Sequence, residues 1–318
     1  MTPPTTNKDP TQIFLLGAGE LGTSFLPHIS SLPNIQITVG VRSPDRYAHL
    51  RSSHIHLITI DLTSPSPALV EILSRYDVVI SATGFTSTPS SLTKLASEVL
   101  SAGKQRKQNG QGRLWFFPWQ WGVDYDVTLS CHSFMPLFGE QKRVRELLRS
   151  EASFSNVKWT VVSTGIFMSF LFEPFWGVVD RSSQVEGGEV TVRCLKDWEH
   201  GVTVTDVDDI GRVVGRILAG DVDAENRVLY VAGDSIRYAD LTKIVEKVVG
   251  REVVREAWSV EHLQEELRKD PEDRIKKYRL VFAGDGVWWE KERTANHVLG
   301  VEMMDVGTYA KKLFSVWK

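Results

Sequence analysis

Gly17-Ala18-Gly19-Glu20-Leu21-Gly22 has the residue types and spacing that hold a pyrophosphate. Gly17 allows a sharp turn, Gly19 lets backbone N–H groups approach the phosphates, and Gly22 lets a helix pack close to the strand before it. A helix opening at Glu20 and Leu21 would add unsatisfied N–H groups and the positive end of its dipole. Arg42 suits the 2′-phosphate of a dinucleotide, where an acid would instead hold a free ribose hydroxyl. A third group, Pro118-Trp119-Gln120-Trp121 followed by Asp124-Tyr125-Asp126, sets aromatics beside acids, as in the wall of a ligand crevice.

The surrounding chain supplies the elements that would position these groups. Ile13 to Leu16 is an apolar run before the glycines, and Phe25, Leu26 and Ile29 follow with helical spacing. This strand–turn–helix context is what gives the motif its meaning. Residues 35–41 read as a second strand ending at Arg42. Residues 55–60 read as a third, ending at Asp61, in the region of an adenine. Residues 77–84 form a fourth that closes in the small residues Ser81, Ala82, Thr83 and Gly84, leaving room for ligand at a strand's carboxyl end. Thr88 or Ser90 caps a helix through Leu100, and 103–112 reads as a solvated basic loop. Leu114–Phe117 is a fifth strand, ended by Pro118, and 157–164 a sixth. Between them Phe138–Ser150 is an amphipathic helix, with Val144, Leu147 and Leu148 inward and Arg143, Arg145 and Arg149 as solvated charge.

Alternation of strands and helices predicts an α/β fold: a Rossmann-type doubly wound parallel sheet with a smaller, interleaved C-terminal substrate lobe. Residues 1–11 read as a disordered lead-in, 12–164 as the dinucleotide-binding domain and 165–318 as the substrate lobe. Segments at about 203–234 return to the sheet. The apolar stretch 166–179, with Phe167, Phe170 and Glu173, is broken by Glu173-Pro174 and reads as the lining of a hydrophobic site rather than a membrane span.

Composition narrows the classes further. The 318 residues carry a net charge of −3, with no nucleic-acid footprint. Two cysteines make no disulfide framework and no Cys/His cluster suggests a metal. A reducing, cytoplasmic location fits, and MTPPTTNKDP lacks the pattern of a signal peptide. The expected partner is a small-molecule substrate, with no nucleic acid and no membrane, and the expected state is a monomer or homodimer.

GAGELG, Arg42, SATG (81–84), FFPWQWGVDYD (116–126), the FGEQKRVRELLRS helix and TDVDDIGR (205–212) together resemble the NmrA-like and isoflavone-reductase-like group of atypical short-chain dehydrogenase relatives, in character its fungal secondary-metabolism members. The resemblance implies NADPH or NADP+ on the N-terminal sheet and an aromatic or heterocyclic substrate under the C-terminal lobe. Two departures stand out. Leu16 occupies the position where the phenolic-ether reductases of the group begin their glycine pattern, and Gln141 aligns with their catalytic lysine. Lys142 is its neighbour, turned about 100° away on a helix, and glutamine is no acid. None of the seven tyrosines has a lysine four residues on. Proton-transfer candidates are therefore Asp124, Tyr125, Asp126, His132, Lys142 and Glu173. Three functions follow: an NADPH-dependent reductase, a redox-neutral isomerase or cyclase that retains NADP(H), or a non-catalytic NADP(H)-sensing regulator.

Overall fold

The computed structural model describes residues 9–83, 90–128, 135–181 and 188–315. Six apolar runs form β1 (Thr11–Leu16), β2 (Ile35–Val41), β3 (Ile55–Thr59), β4 (Val78–Ser81), β5 (Leu114–Phe117) and β6 (Val157–Ser163). The helices between them are α1 (Glu20–Ser30), α2 (Ser66–Leu73), α3 (Ser91–Gln108) and α4 (Pro136–Glu151). Near-continuous apolar sequence is what a parallel strand covered on both faces requires, and Ile13 to Leu16 are fully buried.

The chain continues through β7 (Ile166–Phe167), β8 (Val179–Asp180), β9 (Thr191–Leu195), β10 (Gly201–Thr205) and α5 (Val207–Ala219) to β11 (Arg227–Tyr230). The main sheet has the order β11-β6-β5-β4-β1-β2-β3, the Rossmann-type arrangement. Of the segments at about 203–234, β11 lies at one edge of this sheet, whereas β10 pairs with β12 (Asp234–Arg237) in a second, three-stranded sheet, β12-β10-β7. A third, β13-β9-β8, includes β13 (Val254–Trp258). The helices α6 (Tyr238–Val249), α7 (Val260–Lys269), α8 (Arg274–Phe282), α9 (Ala295–Val298) and α10 (Val306–Ser315) complete the chain.

The chain divides into two compact units. One comprises Met1–Trp119, Arg143–Val161 and Val214–Arg227, and the other Gln120–Lys142, Val162–Val213 and Val228–Lys318. The second has its own apolar core, built around Phe138, Phe172, Trp176, Val192, Val204 and Tyr238.

Three local expectations are corrected. Residues 103–108 are the last turns of α3, not a loop, and Arg106 is only 3% exposed. Its guanidinium donates to the carbonyls of Gly112, Ser74 and Tyr76 and to Asp77, so the basic run contains an internal clamp. Arg145 is fully buried rather than solvated. Ser90 does precede α3, but its side chain makes no cap bond, and its backbone is left-handed (φ 64°) rather than the extended one usual for an N-cap. Thr88 lies outside the described residues. No helix among the described residues is long and apolar enough to cross a membrane.

Candidate functional site

Sequence dictates the first part of the site at the end of β1. Gly17 has φ of 97°, and a Cβ there would sit 2.6 Å from the carbonyl oxygen of Ala82. Only glycine makes this turn without strain. At Gly22 a Cβ would meet the Gly17 carbonyl at 2.2 Å, so this glycine allows α1 to start against the turn. Gly19 differs from both. Its backbone is ordinary (φ −74°, ψ −168°), and a Cβ there would meet nothing within 4 Å. What a side chain at 19 would fill is open space beside the N-terminus of α1. That helix has no side-chain cap, Glu20 begins it exposed, and Leu21 is buried under it. A cradle that a Cβ would fill, beside the first turn of α1, fits a pyrophosphate.

The next strand ends frame the same cradle. Ala82 is buried and its N–H donates to the Leu16 carbonyl at 2.7 Å, which brings β4's small residues to the turn. Thr83 follows, half-buried, its hydroxyl 3.4 Å from that of Ser81; Gly84 lies outside the described residues. Arg42 is exposed just past β2 and makes no ion pair within 4 Å among the described residues. Asp61 accepts from the Thr63 N–H and hydroxyl at 2.9 and 2.8 Å, which holds its carboxyl below the usual range, with Arg42 contributing at longer reach. Pro118 is buried and Trp119 half-buried after β5.

In the second unit, residues 120–128 are fastened at several points. The Gln120 side chain donates to the Gln141 carbonyl at 2.7 Å. The Gly122 carbonyl accepts from the amides of Thr164 and Gly165 at 3.0 and 3.1 Å, and the Asp124 amide donates to Gly286 at 2.8 Å. Asp124 uses one carboxylate oxygen to accept from the Asp126 amide at 3.1 Å. The other accepts the phenolic hydrogen of Tyr230 at 2.7 Å. Tyr230 escaped the sequence reading because it lies 106 residues away and only strand pairing brings it near. Tyr125 is buried, its ring edge-on to Phe138 at 5.0 Å. Trp121 is buried, Asp126 and Lys142 are half-buried, and Gln141 is 1% exposed. His132 lies outside the described residues.

Phe167, Phe170 and Phe175 form an aromatic file, with centroids 5.7 and 5.2 Å apart and edge-to-face geometry. Glu173 is half-buried beside it, and its carbonyl closes the turn to Trp176 and Gly177. No group of three or more His, Cys, Asp or Glu among the described residues could hold a metal.

The sequence profile of the NmrA-like family matches residues 10–286. An NmrA-like family domain-containing oxidoreductase of Gibberella moniliformis is 33% identical over 314 residues, covering 94% of this chain and 97% of that one. Among solved structures, an isoflavone reductase superposes with a TM-score of 0.72 at 17% identity, covering 96% of this chain and 99% of that one. An NADPH-dependent quinone oxidoreductase from Escherichia coli, complexed with NADPH, superposes with a TM-score of 0.72 at 16% identity, covering 95% and 99%.

Proposed function

As the chain belongs to the NmrA-like family, we propose that it is an NADP(H)-dependent reductase of an aromatic or heterocyclic small molecule. The observation that carries this reading is Gly19: conformationally ordinary, opening on free space, and set at an uncapped helix start. Gly17, Gly19 and Gly22, with the first-turn amides at Glu20 and Leu21, would hold the pyrophosphate. Arg42 would take the 2′-phosphate as a charge-assisted pair. Asp61, Ala82, Thr83, Gly84 and Pro118 would border the cofactor. Reduced nicotinamide bound here supplies hydride.

The chain's own tasks are orientation, water exclusion and the proton. Phe167 and Phe170 would offer flat apolar surface to an aromatic body, with Glu173 as a polar handle and the buried Gln120 and Trp121 supporting the segment after β5. The proton would come from the fastened segment, through Asp124, Tyr125 or Asp126, or from His132. Asp124 accepts the phenolic hydrogen of Tyr230, so this pair holds a proton at the Tyr230 oxygen.

One observation favours a second reading, a redox-neutral isomerase or cyclase. Gln141, which the resemblance sets against the catalytic lysine of the group's phenolic-ether reductases, is a buried amide that is no acid. The two separate cleanly. With NADPH deuterated at the transferring carbon and a panel of aromatic enones, quinones and benzylic ethers, a reductase yields deuterated product with loss of nicotinamide absorbance. Product formed with the absorbance unchanged would establish the redox-neutral chemistry instead.

A further inference from the structure

At the end of the sheet where its strands begin, Ile13, Val78, Trp115 and Lys158 stand side by side on β1, β4, β5 and β6. Laterally paired residues of parallel strands share one face, so these four side chains form a row. With Leu218 and Ala219 at the end of α5 they line a cleft of about 460 Å³ within the first unit. Small-molecule sites span roughly 300–1,000 Å³. The glycine turn is at the other end of β1, roughly 13 Å from Ile13 at about 3.3 Å per residue.

The charges around the cleft are answered inside the protein, with one exception. Arg113 pairs with Glu225 and donates to the Val157 carbonyl. Asp77 accepts from Arg106 at 2.7 Å and from the Gln12 amide at 3.0 Å. Lys158 meets no carboxylate within ion-pair distance among the described residues. Its Nζ lies 3.9 Å from the centroid of the Trp115 ring, which is held in place by Nε1 donating to Thr160 at 2.9 Å. Burial pushes the Lys158 ammonium's pKa down, against the pull of Glu225 and with the push of Arg113.

A half-buried cation with no ion pair among the described residues, in a cleft that also presents Leu32, Ile35 and Leu218, is a receptor for one negative charge on an apolar body. The Trp115 face is already covered by the ammonium, so aliphatic rather than aromatic substance fits beside it. We propose that this cleft is a second ligand site, distinct from the glycine turn, for a monocarboxylate with a medium-length aliphatic chain. The carboxylate pairs with Lys158 and the chain lies against the partly exposed Leu32, Ile35 and Leu218.

Calorimetric titration of the full chain with octanoate, and with octan-1-ol as the uncharged comparison, tests this. Octanoate should bind one to one. Lys158→Met keeps the apolar stem and removes the charge. It should weaken octanoate about 10- to 150-fold, the size of a lost charge-assisted hydrogen bond, and leave octanol unchanged. Ala219→Trp fills the mouth and should abolish binding of both, while NADPH affinity stays at the parent value in both variants. The proposal is overturned if octanoate shows no saturable binding at millimolar concentration, binds Lys158→Met as well as the parent, or is displaced by NADPH.

Discussion

The side-chain amide of Gln120 donates to the main-chain carbonyl of Gln141 at 2.7 Å, with both residues buried. The segment that follows β5 is thereby tied to α4 at Gln141. The tie uses the backbone of residue 141, so substitution leaves it intact. Gln141→Lys should raise NADPH consumption by about 10²-fold, the scale of a well-placed general acid. It should also lower the melting temperature, because an ammonium would replace a buried amide. Steady-state rates and a thermal melt on one preparation check both. A fall in turnover at unchanged NADPH affinity would favour the redox-neutral reading.

The glycines of the turn should separate by substitution. Gly19→Val is expected to abolish dinucleotide binding while leaving the melting temperature near the parent value, because its backbone is ordinary and its surroundings open. Gly17→Ala should cost about 1–3 kcal/mol of stability, since a left-handed backbone and the Ala82 carbonyl both oppose a Cβ. Calorimetry and denaturant melts distinguish loss of ligand space from loss of fold. A Gly19→Val protein that binds NADPH normally would move the phosphate site elsewhere.

Asp124 has two measurable roles. Asp124→Ala removes the acceptor of both Asp126 and Tyr230, and should cost about 1–3 kcal/mol by leaving polar groups unpaired. Tyr230→Phe deletes only the hydroxyl and should cost about 0.5–1.5 kcal/mol. Among Asp124→Asn, Tyr125→Phe, Asp126→Asn and His132→Gln, at least one should lose about 10²-fold or more in kcat and change the pH profile. Near-parent turnover in all four would make the segment structural.

The legible parts of this fold are those where burial writes itself into consecutive residues. β1 and the glycine turn could be read directly because a strand covered on both faces must be apolar throughout. α4 was legible from its apolar spacing. Arg106 was not, because a guanidinium satisfied by carbonyls 32 and 30 residues away in sequence looks like any solvated cation. β7 and β8 are two residues each, too short to carry a period, and β13 is largely exposed along its length. α8 also left no clear apolar stripe in RIKKYRLVF. The Tyr230–Asp124 pair is a product of topology, which residue spacing does not encode.

Acid should destabilise the second unit through His200. Its Nε2 donates to the Phe282 carbonyl at 2.8 Å, and burial holds its pKa below the ordinary 6.5, aided by Lys196 and opposed by the carbonyl, Asp197 and Asp285. The unfolded chain therefore takes up the proton first. Its contribution is fully present above pH 6.5 and declines as the pH falls below that value toward the lower folded pKa. Denaturant melts between about pH 7.5 and 5 should show this fall, and His200→Gln, which keeps a donor, should flatten it. An unchanged slope in the variant would assign the acid sensitivity to other groups.

The most direct test of the account is calorimetric titration of NADPH and NADH into the parent chain and into Arg42→Ala. The account predicts that the parent prefers NADPH. It also predicts that Arg42→Ala weakens NADPH by about 10- to 150-fold, the value of one charge-assisted hydrogen bond, with NADH nearly unchanged. Equal loss for both dinucleotides, or no dinucleotide binding by the parent, would contradict it.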